Sequence, residues 1–171
     1  MKTPIEERGI RRTGIPSKEE LEASPGYPRS EALVKGPLVV IECVQDIPCN
    51  PCEVVCPRGA IKVGNPITNL PVFHADSCDG CGVCIPICPG QAIFRVDMTY
   101  SMDKAAVSFP YEFLPLPNKG DIVQGVNRAG EVVCGAEVLR VQRPKSFDNT
   151  AVITVAVPKT LAMEVRNMKK L

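Results

Sequence analysis

Cys43-Val44-Gln45-Asp46-Ile47-Pro48-Cys49-Asn50-Pro51-Cys52-Glu53-Val54-Val55-Cys56-Pro57 and Cys78-Asp79-Gly80-Cys81-Gly82-Val83-Cys84-Ile85-Pro86-Ile87-Cys88-Pro89 hold eight of the nine cysteines of a 171-residue chain. The second run spaces its cysteines by two, two and three residues and ends on proline. The first run repeats the last three of those cysteines and the proline, but its leading cysteine lies three residues further back than the pattern asks. The two runs belong to one internal repeat. Cys49, Cys52, Cys56, Pro57, Ala60 and Ile61 recur 32 residues on as Cys81, Cys84, Cys88, Pro89, Ala92 and Ile93. Thiols packed this densely, at two-residue gaps, are a metal-binding scaffold rather than a disulfide framework.

The spacing indicates which metal group is held. Four-residue zinc sites use two separated Cys-x-x-Cys pairs, and gaps of two, two and three fit them poorly. The second run instead matches the ligand run of bacterial iron–sulfur proteins, in which the fourth cysteine serves the other cluster. On that pattern Cys78, Cys81 and Cys84 join Cys56 at one [4Fe–4S] cluster. Cys49 and Cys52 join Cys88 and one upstream ligand at a second. The upstream ligand is Cys43, with Val44–Pro48 bulging outward, or Asp46, which occupies the regular position, or the position is empty at a three-iron or incomplete site. Cys134 stands apart and is expected to be a small buried residue of a strand. His74, the single histidine, is expected to be structural.

The rest of the chain is read around these runs. Residues 1–36 predict an extended arm made locally basic by Arg8, Arg11 and Arg12, with a helix from the Ser17/Glu20 capping box to about Ala23 and another turn from Ser30 to Lys35. The arm either wraps its own domain or lies along a partner. Leu38–Ile41, Ile61–Val63, Val72–His74 and Ile93–Val96 predict short strands flanking the cysteine runs. Residues 37–98 thus form a cluster domain, and 99–118, with Pro110, Pro115 and Pro117, an irregular connector. Residues 119–171 predict a small antiparallel β module: Ile122-Val123 and Val132-Val133 flank the turn Asn127–Gly130, Thr150–Val157 is the strongest strand, and Thr160 starts a C-terminal helix. The fold class is α+β.

Composition narrows the function. With 17 prolines and 13 glycines, long helices are excluded over most of the chain. No apolar run is long enough to span a bilayer, and no signal peptide is expected, so a cytoplasmic location follows. A formal net charge of +1 would fall to about −3 with two clusters bound, which leaves no basic footprint for nucleic acid. Neither a dinucleotide-binding Gly-x-Gly-x-x-Gly motif nor a nucleophile elbow is present, so chemistry on a substrate would need a partner.

Residues 38–98 resemble the bacterial dicluster ferredoxin domain with two [4Fe–4S] centres, most specifically at Cys78–Pro89. The resemblance implies one-electron transfer at each centre. With its arm and β region, the whole chain is similar to the ferredoxin-type small subunits of flavin-dependent amino-acid or imino-acid dehydrogenases, of the D-proline or hydroxyproline kind. That resemblance implies FAD-binding dehydrogenase subunits, and in some assemblies a [2Fe–2S] protein, as partners. A freely diffusing ferredoxin and a non-redox module held together by its clusters are the competing readings.

Overall fold

Leu38-Val39-Val40-Ile41 forms the edge strand β1 (Leu38–Ile41), and all four of its residues are buried. In an extended strand alternate side chains face opposite ways. Leu38 and Val40 therefore join the main core, whereas Val39 and Ile41 pack into a second, smaller core beneath the cysteine runs. A strand buried on both faces reads as continuous apolar sequence, as this one does.

The computed structural model describes residues 9–171, so Arg8 and its contribution to the basic arm lie outside the described residues. The molecule is mostly antiparallel sheet with few helices. A seven-stranded sheet has the order β1-β4-β5-β8-β7-β6-β9, with β4 (Ile93–Asp97), β5 (Lys104–Tyr111), β6 (Ile122–Val126), β7 (Val132–Gln142), β8 (Ala151–Pro158) and β9 (Asn167–Met168). A separate ribbon pairs β2 (Ile61–Lys62) with β3 (Val72–Phe73). The expected strands around the cysteine runs are thus formed, and β1 lies antiparallel to β4 with Leu38 opposite Val96 and Ile41 opposite Ile93.

The region from 99 to 118 departs from the expected connector. Its middle is β5, a central strand in which Ala105, Val107, Phe109 and Tyr111 face the main core. Pro110 and its neighbours hid that alternation, because proline is disfavoured inside a sheet. Here pairing with β4 ends at Ser108, so Pro110 lies beyond that ladder. Along its whole length β5 pairs with β8, from Lys104 opposite Pro158 to Tyr111 opposite Ala151. The β region is consequently not a separate module. Strands from both sides of the expected boundary share one sheet and one core.

The hairpin from β6 to β7 forms where expected. Asn127 Oδ1 accepts from Ala129 N at 2.9 Å and Glu131 N at 3.0 Å, and Gly130 takes the left-handed conformation at φ 79. The C-terminal helix does not form. A single 3-10 turn at Lys159–Leu161 is followed by β9, which pairs with β6. Of Leu161, Val165 and Met168, whose spacing suggested a helical face, Val165 and Met168 join Ala162 in closing the end of the main core, and Leu161 packs against it half-buried. Tertiary packing accepts the same apolar positions in an irregular path.

The described part of the arm packs against its own chain. Helices α1 (Ile10–Thr13), α2 (Lys18–Ala23) and α3 (Ser30–Leu33) are short. The capping box of α2 is complete: Glu20 N donates to Ser17 Oγ at 3.2 Å and Ser17 N to Glu20 Oε2 at 2.7 Å. Leu21 and Leu33 are buried, and Phe73 N donates to Pro25 O at 3.0 Å. Among the described residues no helix is long and apolar enough to cross a membrane.

Candidate iron–sulfur sites

Each cysteine run wraps a pocket on the smaller-core face of β1 and β4. Helix α4 (Pro51–Val55) carries Cys52 and starts on a proline, which suits the first helical position. Its partner in the repeat, the segment after Cys81, makes turns instead. Glu53 fastens the end of β2: Val63 N and Gly64 N donate to its Oε2 at 2.9 and 3.0 Å. Those hydrogen bonds hold its carboxyl below the usual carboxylate range.

The runs cross. One cavity is lined by Cys78, Cys81 and Cys84 of the second run together with Cys56 of the first, against Val39, Ala60, Ile61 and Val83. The other is lined by Cys43, Cys49 and Cys52 of the first run together with Cys88 of the second, against Ile41, Val63, Pro71 and Ile93. They are called below the second-run and first-run sites. As cavities they measure about 10 and 50 Å³. Among the described residues no three His, Cys, Asp or Glu side chains converge on a point as a single ion would require. The thiols line two spaces.

The electrostatics group the thiols in the same way. Burial, and then the charge of Cys88, pushes Cys43 and Cys49 up, and takes Cys52 to about 11. Cys84, the most buried, is pushed furthest up by burial and then by Cys78, Cys81 and Cys56. As free thiols, Cys43, Cys49, Cys52 and Cys84 keep their protons at neutral pH. Metal binding at these four would take thiolates and release their protons.

Backbone donors are aimed at sulfur. Ala60 N donates to Cys56 Sγ at 3.3 Å and Ala92 N to Cys88 Sγ at 3.4 Å. These are equivalent positions of the repeat, which explains why the alanines recur with the cysteines. The residue before each alanine turns left-handed, Gly59 at φ 59 and Gln91 at φ 50. Glycine does this without strain, whereas Gln91 does it against a penalty. Gly80 N donates to Cys78 Sγ at 3.4 Å. Gly80 sits at φ 67, and a Cβ there would collide with the Pro37 carbonyl. Arg58, just past the first run, ties it to the second by donating from Nε to Asp79 Oδ2 at 2.8 Å, and Arg95 of β4 donates from Nε to Gly80 O at 2.7 Å.

Asp46 is exposed and is not among the residues lining the first-run site, whereas Cys43 lines it. Ser24 Oγ of the arm donates to Cys43 O at 3.2 Å. Cys134 lies on β7 at the edge of the main core, away from both cavities. His74 is exposed, and its backbone N–H donates to Ala60 O at 2.8 Å.

One group beside the sites escapes a reading of the sequence. Glu42, next to Cys43, is buried and held by two arginines from the far end of the chain. Arg128 Nε donates to its Oε2 and Arg166 Nε to its Oε1, both at 2.7 Å. Arg166 also donates to the carbonyls of Ala162 and Val165 and lies 5.0 Å from the centre of the Phe94 ring. By sequence alone Arg128 is a turn residue and Arg166 a cation on a helix surface. The available signal was Glu42 itself, a charge that continues an apolar strand inward, since carboxylates are almost never buried unpaired.

Residues 43–99 match the family model of the LdpA Fe-S cluster-binding domain. The chain is 26% identical over 108 residues to Protein Pixie of Drosophila melanogaster, an alignment covering 53% of this chain and 17% of that protein. It is 40% identical over 47 residues to a subunit of the ion-translocating oxidoreductase complex of Methanosarcina acetivorans, covering 28% of this chain and 17% of that one. The alignments thus span only about a sixth of these curated relatives. No solved structure matches significantly. Residues 43–99 carry an iron–sulfur cluster-binding domain.

Proposed function

We propose that the chain is an iron–sulfur electron-transfer subunit of a multi-subunit flavin-dependent oxidoreductase, relaying single electrons between a partner's flavin or [2Fe–2S] centre and an acceptor. The observation that carries this reading is the crossing of the runs: two separate spaces, each lined by four cysteines, three from one run and one from the other. The donor set fits two [4Fe–4S] clusters, with Cys43, Cys49, Cys52 and Cys88 at one and Cys56, Cys78, Cys81 and Cys84 at the other. Bound clusters would supply a one-electron couple at each position.

The chain's own residues tune and connect these positions. Amide donors at Ala60, Gly80 and Ala92 stabilise negative charge on sulfur, which favours the reduced state. Apolar side chains of Ile41, Ile61, Val63 and Ile93 line the two spaces. Val39 lines one site and Ile41 and Ile93 the other, and all three belong to one small core, an arrangement that suits an electron relay. The similarity to a subunit of an oxidoreductase complex supports the relay role. The flavin-bearing partner, of the amino-acid or imino-acid dehydrogenase kind, rests on the resemblance of the whole chain.

The packing of the described arm and of the β strands into the chain's own core favours a second reading, a freely diffusing ferredoxin. Purification from the source cell without oxygen distinguishes the two. The chain is expected to carry about 8 irons and about 8 acid-labile sulfides and to co-elute with a flavin-bearing protein. Elution alone, with both centres reducible, would replace the complex-bound relay by the free carrier, and zinc without sulfide would remove both.

A further inference from the structure

We propose that the trough beside Cys81 is an electron port that receives the acidic face of a one-electron carrier protein. The inference rests on the electron-transfer reading of the second-run site. Cys81 is the exposed cysteine of the nine, and the other eight are buried or half-buried. Gly80, Cys81 and Gly82 form one wall of a trough of about 520 Å³ on the outer face of the sheet. Its floor is made of small residues of β5 and β8, Ala106, Ser108 and Thr154, and the hydroxyls of the last two bond each other at 2.9 Å. Small side chains set in a row leave the depression. A protruding partner side chain seated there would rest against the Cys81 loop, close to the centre that Cys81 holds.

Charge identifies the partner. Arg140 lines the trough, and Arg143 and Lys145 lie on the short segment between Gln142 and Phe147, both of which line it too. All three cations are exposed, and none has an ion-pair or hydrogen-bond partner among the described residues. Of the nearby acids, Asp79 pairs with Arg58 and Asp97 with Arg95. Glu137, one ladder step from Arg140 on the same face, and Asp148, which meets only the neutral Asn149 amide, leave three unpaired cations against two unpaired carboxylates at this edge. The lining of the first-run site, by contrast, includes no lysine or arginine. A cluster with four thiolates repels an anionic partner, and a rim of free cations offsets that repulsion locally and steers acidic surfaces to this edge. One electron then leaves the second-run site and reduces the carrier's acceptor by one electron, with no proton or group transferred.

The test uses two one-electron oxidants of opposite charge, the trianionic tris(oxalato)cobaltate(III) and the tricationic hexaamminecobalt(III). Full-length protein, reduced with dithionite without oxygen, is mixed with each in a stopped-flow instrument. The variant carries Arg140→Glu, Arg143→Glu and Lys145→Glu. Its ratio of anion to cation rate constants is expected to fall at least about tenfold at low salt, with the difference shrinking as salt rises. Iron content and the reduced-state spectrum of the variant certify its integrity. Should it fail these checks, the same positions changed to Gln serve, with a smaller fall expected. A ratio altered less than about twofold, or equally altered by Lys169→Glu and Lys170→Glu at the β9 edge, overturns the port. Absence of any reducible centre in the wild-type protein instead overturns the electron-transfer reading itself.

Discussion

At the scale of single residues, the cysteines near the irregular run carry separable expectations. Cys43→Ser is expected to lose or convert one of two clusters, seen as lowered iron and a changed spectrum of the reduced protein. Asp46→Ala and Cys134→Ala are expected to leave iron content unchanged, because neither side chain lines a cavity. Two intact centres in Cys43→Ser would move the ligand role elsewhere. Glu42 carries a different kind of expectation. The side chains of Glu42 and Arg166 are 5% and 4% exposed, so Glu42→Gln leaves two arginines beside a neutral amide. Removing one partner of a buried ion pair costs about 3–5 kcal/mol. The loss is read as a lower denaturation midpoint at an unchanged slope, and a change below about 1 kcal/mol would mean that water reaches the pair.

At the scale of elements, β8 is the strand on which the rest depends. It pairs with β5 on one side and β7 on the other, and its inward residues Ile153, Val155 and Val157 are fully buried. Ile153→Ala is expected to cost about 2–5 kcal/mol, the range for emptying a well-packed aliphatic site. Deleting the chain after residue 118 would remove β8 along with the arginines that hold Glu42. On the linear plan such a deletion should spare both clusters, since it removes no cysteine of either run. The sheet predicts the opposite: iron is lost, because β4 and β5 would expose the main core. Retention of full iron by the truncated chain would show that the cluster half folds without the sheet. The two halves also differ in how legible they were. The strands of the hairpin and β8 stood out as β-branched runs bounded by turn residues. Strand β5 was hidden because alanine, serine and proline occupy its outer face.

At the scale of the whole molecule, the sheet turns one face to a broad apolar core and, at its β1–β4 edge, the other to the two cysteine runs. Val39, Ile41 and Ile93 couple them, since these strand residues pack in the same small core as Cys84, with Cys43, Cys52, Cys78 and Cys88 against it. Removing the metal should therefore weaken more than the loops. Chelation of iron without denaturant is expected to lower the thermal midpoint and to loosen β1 and β4, read as faster amide exchange in those strands than in β7 and β8. Equal exchange in all four strands would mean that the sheet holds its edge without the clusters.

What the sequence by itself determined is an iron–sulfur-binding scaffold: the eight thiols, their division into two runs, the capping box at Ser17 and the turn at Asn127. These follow from spacings of a few residues, where ligand reach and backbone geometry leave little choice. Only the tertiary structure decided that β5 is a central strand, that the C-terminal segment closes the core as β9 instead of a helix, and that Glu42 meets Arg128 and Arg166. Those contacts join positions 86 and 124 residues apart. No local propensity encodes such a meeting. It exists because the sheet that buries the apolar strands also brings their charged ends together, and a buried carboxylate is tolerated only where cations arrive with it.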